Sequence, residues 1–258
     1  MPRLTTVLRT LAVSVATLIA VTAGTAAAPA QARSGDGHGT GGGGPKAPKA
    51  FVALRDVDPT ILQEMRYATP HNFVGVPIDG YRQPICQLTR PAAEALHAAQ
   101  SKLLRRGYSL KVYDCYRPQR AVDHFVAWAK DLDDQRMKSE FYPHVDKSRL
   151  FEDGYIAAKS GHSRGSTMDV TIVRLSGGSV DMGTPFDYFD TLSHTLDPRI
   201  QGVQRENRLL LKGTLEGLGF VNLAEEWWHY TYTPERFPDT YFDFPVSRRS
   251  LTSAYVGP

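Results

Sequence analysis

Amphipathic helical stretches alternating irregularly with short strand-like runs predict an α+β domain. Three observations carry this reading: apolar residues at helical spacing over 92–103, the same spacing over 121–132, and strand-like runs at 110–114, 169–174 and about 220–232.

The first fifty residues stand outside that pattern. Residues 1–32 hold Arg3 and Arg9, no acid, a mostly apolar run from Leu11 to Ala23, and the small-x-small tripeptide Ala30-Gln31-Ala32. Together these read as a secretory signal peptide. The apolar run is short for a membrane span of about 20 residues and is followed by alanines rather than a basic stop, so no stable membrane anchor is expected after cleavage. Residues 33–50 are rich in glycine and polar side chains and are expected to be a disordered linker. Residues 51–258 remain as one domain with ample length for a core and no visible internal repeat.

Within that domain, 54–65 leads in. Thr89-Arg90-Pro91 opens a helix with Ala92, Leu96, Ala99 and Leu103 on one face, and Gly107 ends it. Leu110 to Asp114 reads as a strand. Pro118 begins a second helix with Ala121, Phe125, Trp128 and Leu132 on one stripe, and a third runs from about 204 to 218 with Leu211, Leu215 and Leu218 inward. The run Val170-Thr171-Ile172-Val173 places Asp169 at the start of a strand.

Charge excludes some partners. Without Arg3 and Arg9, 28 basic and 27 acidic side chains remain, a balance that points to neither nucleic acid nor an anionic membrane. Cys86 and Cys115 are the only cysteines. In an exported chain a pair is more often bridged than free, so a disulfide is expected; free thiols and metal ligation are the alternatives.

Chemistry concentrates in two segments. Ser160-Gly161-His162-Ser163-Arg164-Gly165-Ser166-Thr167-Met168-Asp169 offers a histidine and a carboxylate, and Glu226-Trp227-Trp228-His229 offers another of each. His162, Asp169 and His229 can fill three corners of a zinc tetrahedron and leave the fourth for water, with Glu226 to work on that water. Either pair alone occurs by chance in many proteins, but each supplies what the other lacks. The helical His-Glu-x-x-His motif is absent, so the ligands must converge from separate elements. Side chains three apart on a regular strand point to opposite faces, so Glu226 and His229 can share a metal only if the chain bends, bulges or ends at the two tryptophans.

The chain resembles the VanX-type D-alanyl-D-alanine dipeptidases of the zinc D-Ala-D-Ala peptidase superfamily over about residues 51–245. The resemblance rests on Met65-Arg66-Tyr67-Ala68-Thr69 with Asn72-Phe73 and Asp79-Gly80-Tyr81, on Asp114-Cys115-Tyr116-Arg117-Pro118-Gln119-Arg120-Ala121, on the 162–169 segment, on Asp181-Met182-Gly183-Thr184-Pro185-Phe186-Asp187, and on Glu226 to Tyr230. It implies a central, mainly antiparallel sheet flanked by helices with a zinc cleft. It also implies one zinc per chain on His162, Asp169 and His229, Glu226 as general base, and Arg117 as the cation facing the transition state. A dipeptide zwitterion needs partners at both ends. Asp114 and Asp187 are candidates for its ammonium, and Ser160 or the Ser163-Arg164 region for its carboxylate; all of these read equally well as loop or strand-end caps.

Three functions are compatible with these residues. The first is a D,D-dipeptidase splitting D-alanyl-D-alanine outside the membrane, on the cell-wall side. The second is an exported D,D- or L,D-carboxypeptidase or murein hydrolase trimming peptidoglycan stem peptides. The third is a non-catalytic zinc domain that binds wall peptide, against which the retention of both Glu226 and Arg117 counts.

Overall fold

The computed structural model describes residues 44–252. The expected signal peptide and residues 33–43 of the expected linker lie outside the described residues. The packed body reaches back before residue 51: Ala47 is buried and its N–H donates to the carbonyl of Ser250 at 2.8 Å.

Strands β1 (Phe51–Ala53), β2 (Leu62–Gln63), β3 (Gln87–Thr89), β4 (Tyr108–Asp114), β5 (Thr167–Arg174), β6 (Phe220–Asn222) and β7 (His229–Tyr232) alternate with helices α1 (Leu54–Val57), α2 (Arg90–Leu104), α3 (Gln119–Lys130), α4 (Lys138–Phe141) and α5 (Gly202–Glu216). Among the described residues, β1 and β3 form an antiparallel pair, and the central sheet runs β2-β4-β5-β7-β6. Only β2 against β4 is parallel in that sheet, so the α+β class and the mainly antiparallel sheet hold.

Helix α2 starts as its residues dictate, with Thr89 extended at the N-cap and proline in the first turn. Its face of Ala92, Leu96, Ala99 and Leu103 is fully buried, each leucine contributing roughly 1.5–3 kcal/mol by leaving water. Helices α2 and α5 contact the sheet. On β5 the fully buried Met168, Val170 and Ile172 alternate with Thr167, Asp169 and Thr171. That period of two divides an apolar face from the polar face on which the cleft opens.

Several boundaries differ from expectation. Strand β5 begins at Thr167, so Asp169 is its third residue, because Thr167 and Met168 already pair with Thr231 and Tyr230. Helix α3 stops at Lys130 and Leu132 is exposed: Asp131 leaves helical geometry and its N–H turns back to the carbonyl of Trp128. Helix α5 ends at Glu216, two residues before Leu218, which is only partly buried. The run 220–232 is a hairpin, β6 and β7, whose connection carries Glu226.

Candidate active site

Neighbouring strands place three acid and imidazole side chains in a row. Asp169 on β5 pairs with His229 on β7 and with Asp114 on β4, and cross-strand partners share a face. A β-bulge makes the second pairing possible: Val112 pairs with Val170 but Asp114 with Asp169, so Tyr113 is an extra residue. In regular register Asp114 would lie on the opposite face from Asp169.

His162 arrives from a different element, a single 3₁₀ turn over Gly161–Arg164. The Ser160 hydroxyl caps that turn by accepting from the His162 N–H at 3.3 Å. Gly165 closes it at φ +85°, where a Cβ would lie 2.3 Å from the Phe51 ring, so only glycine fits. His162 Nδ1 sits 2.7 Å from the carbonyl oxygen of Cys115. A carbonyl can only accept, so Nδ1 carries the hydrogen and Nε2 is left with its lone pair toward the cleft. Cys115 is bonded to Cys86, the expected bridge, and it ties the end of β4 to the start of β3.

His162 Nε2, His229 Nδ1 and Asp169 Oδ1 form a triangle with sides of 3.3, 3.2 and 3.3 Å. A tetrahedral zinc with bonds of about 2.0–2.1 Å separates its donors by about 3.3–3.4 Å, so the residues present fit that ion. Asp169 Oδ1 is buried and accepts no hydrogen bond. An orphaned buried carboxylate oxygen costs free energy unless a cation meets it. Burial pushes the Asp169 carboxyl up, but His162 and His229 outweigh it and hold it well below the usual carboxylate range. Burial pulls the His229 ring down, but Asp169 and Glu226 push it up to about 9.

Glu226 projects from the hairpin connection with Oε2 3.4 Å from His229 Nδ1. The irregularity expected at the tryptophans is a turn: the His229 N–H donates to the Glu226 carbonyl, and Asn222 Nδ2 donates to the carbonyls of both residues. Trp227 and Trp228 anchor it from below, both buried, with Trp227 Nε1 donating to the Thr184 hydroxyl at 2.9 Å.

Arg117 lies just past β4. Its Nε donates to Asp114 Oδ2 at 2.9 Å, one terminal nitrogen lies 3.5 Å from Asp169 Oδ2, and its guanidinium stacks 5.0 Å from the Tyr67 ring centroid. Asp114 is fully buried and off the wall of the cleft. One of its oxygens accepts from Tyr81 and the other from Arg117. It therefore positions Arg117 and is not available to an ammonium, correcting that expectation. Asp187 does line the cleft, held at φ +59°, with Oδ2 accepting from the Tyr67 hydroxyl at 2.9 Å. Burial, and then the charge of Asp169, raises its carboxyl well above the ordinary range. Such a group ionises readily only when a cation arrives beside it.

Ser160 lines the cleft, whereas Arg164 turns away into a bidentate pair with Glu235. Tyr67, Tyr155 and Phe189 also line it and were not singled out from sequence, although Tyr67 sits in the Met65 to Thr69 segment. The cavity holding the triad measures about 220 Å³, and a neighbouring one of about 730 Å³ shares Gly154, Tyr155, Leu223 and Glu226 with it.

The peptidase M15 family, described as D-ala-D-ala dipeptidase, matches residues 48–247. The chain is 41% identical over 185 residues to a D-alanyl-D-alanine dipeptidase of Streptomyces coelicolor, an alignment spanning 71% of this chain and 92% of the relative. It is 42% identical over 185 residues to one of Enterococcus faecalis, with the same coverage. Against one of Enterococcus faecium it is 39% identical over 197 residues, 76% of this chain and 98% of the relative.

Proposed function

The chain belongs to the peptidase M15 family of D-Ala-D-Ala dipeptidases, and from that premise we propose that it hydrolyses the D-alanyl-D-alanine dipeptide to two D-alanines outside the membrane, with one zinc at the triad and Glu226 as base. The observation that carries the chemistry is the set of three donors at tetrahedral spacing, two of them on buried residues and one an orphaned carboxylate oxygen, beside a half-buried glutamate in the same small cavity. When bound there, zinc supplies a Lewis acid that lowers the pKa of a water to about 7 and polarises a carbonyl.

The chain's own groups supply the rest. Glu226 takes the proton of the attacking water and hands it to the departing amine, a role worth about 10²–10⁴ in rate. Arg117 is charged throughout and fixed by Asp114, so it can meet the negative charge that develops on the carbonyl oxygen. Asp187, with Tyr67 donating to it, offers an anionic partner to the substrate ammonium. A non-catalytic binder has no use for a base and a fixed guanidinium beside the same three donors.

The cavity of about 220 Å³ is below the range of about 300–1,000 Å³ for drug-sized ligands, which supports a dipeptide-sized substrate. The adjoining cavity of about 730 Å³ favours a second reading, trimming of peptidoglycan stem peptides that extend past the triad. Export is supported by the composition of residues 1–32 and by the Cys86–Cys115 bridge, which suits an oxidising compartment. The test is D-alanine release by the zinc-loaded protein from D-alanyl-D-alanine and from a muramyl pentapeptide. Release from the dipeptide alone is expected. Release from the pentapeptide would install the second reading, and release from neither with zinc bound would refute both.

A further inference from the structure

The wall of the triad cavity carries three acidic side chains, Asp169, Asp187 and Glu226, and two basic ones, Arg117 and Lys159. Arg117 is committed to Asp114 and lies against Asp169. Lys159 is exposed and forms no ion pair among the described residues; its ammonium rests 4.9 Å above the ring of Tyr241. An exposed cation–π contact of this kind is weak, so it orients the ammonium without consuming its charge.

The support under that ring is firmer than the contact itself. Arg164 grips Glu235 through two bonds of 2.8 and 2.6 Å and reaches the Tyr241 hydroxyl at 3.4 Å. At its other end Lys159 precedes Ser160, whose hydroxyl oxygen caps the His162 turn. The backbone of Lys159 is thereby pinned three residues from His162, and its side chain lines the cavity with Tyr241 beside its ammonium.

A zwitterionic substrate brings a carboxylate into a wall already rich in acidic side chains, where a basic partner offsets the cost of burying that charge. We propose that Lys159, steadied by Tyr241, recognises the C-terminal carboxylate of the substrate, so that the enzyme selects peptides with a free C-terminus. The proposal rests on the peptidase reading above. It assigns selectivity at one end of the substrate to a residue that takes no part in bond cleavage.

Steady-state kinetics of the zinc-loaded full chain on D-alanyl-D-alanine and on its C-terminal amide test it. The wild type should prefer the free acid in kcat/KM by about 10-fold or more, the scale of one hydrogen bond to a charged group. Lys159→Met should collapse that preference to about 2-fold or less through KM for the free acid, and Lys159→Arg should keep most of it. Tyr241→Leu, which leaves the charge in place, should give an intermediate ratio. An unchanged acid-to-amide ratio in Lys159→Met overturns the proposal while leaving the dipeptidase reading intact. No turnover of either substrate by the wild type refutes the dipeptidase reading and the Lys159 proposal with it.

Discussion

The floor of the cleft hangs on backbone ladders, whereas its rim is made of loops. Asp169 and His229 are register partners on β5 and β7, Asp114 joins them across a bulge, and His162 is locked by the carbonyl of a disulfide-bonded cysteine. On the rim, Tyr155, Lys159 and Asp187 stand outside the regular strands and helices and are held by side-chain contacts: Tyr155 stacks on Phe189, Lys159 on Tyr241, and Asp187 accepts from Tyr67. A metal site calls for ligand distances within about 0.2 Å of their usual values, and residues held by sheet hydrogen bonds are positioned more tightly than residues on loops. Substrate ends vary more, and loops can change without disturbing the floor.

Substitutions should separate the two regions. The largest effect is expected on the floor: His162→Ala should drop stoichiometric zinc and turnover to background, read by metal analysis beside D-alanine release. Next, Asp114→Asn should lower kcat about 10-fold with KM little changed, because it loosens Arg117, whereas Asp187→Asn should act mainly by raising KM for the zwitterion. The reverse pattern would exchange the roles given to these two aspartates.

A smaller effect, on stability and not on chemistry, is expected from removing the bridge. The Cys86→Ser, Cys115→Ser double variant should lose roughly 3–4 kcal/mol in urea unfolding of the metal-loaded protein, the chain-entropy value for a loop of 29 residues. The smallest is a pH effect in chelated protein. His229 is raised from 6.5 to about 9, so its contribution to stability is complete below pH 6.5 and is lost as pH rises through about 9. The melting temperature of the chelated protein should fall across that window, and Glu226→Gln should flatten the fall by removing one of the two charges that raise the ring.

The same division governs what could be read from sequence. The convergence of His162, Asp169, His229 and Glu226 was legible because donor chemistry is specific and two incomplete pairs complete each other. The break at the tryptophans was legible because strand geometry forbids side chains three apart from sharing a face. The placement of Asp114 was hidden, since it depends on an extra residue at Tyr113 that aligns it with Asp169, fifty-five positions away. Leu132 continues the helical spacing of Ala121 to Trp128, yet the backbone leaves the helix at Asp131 and strands it in solvent. Lys159 carries no spacing signal at all. Its place on the wall follows from the strap of residues 154–161, whose course is set by contacts with distant segments such as Phe189 and Tyr241.

The central claim is that the triad holds the metal while Glu226 moves the proton. Its most direct test is metal content and D-alanine release from D-alanyl-D-alanine measured side by side for the wild type and Glu226→Gln. Zinc at one per chain in both proteins, with kcat lower by about 10²–10⁴ in the variant, is the predicted result. Full turnover in Glu226→Gln with zinc retained would contradict the account.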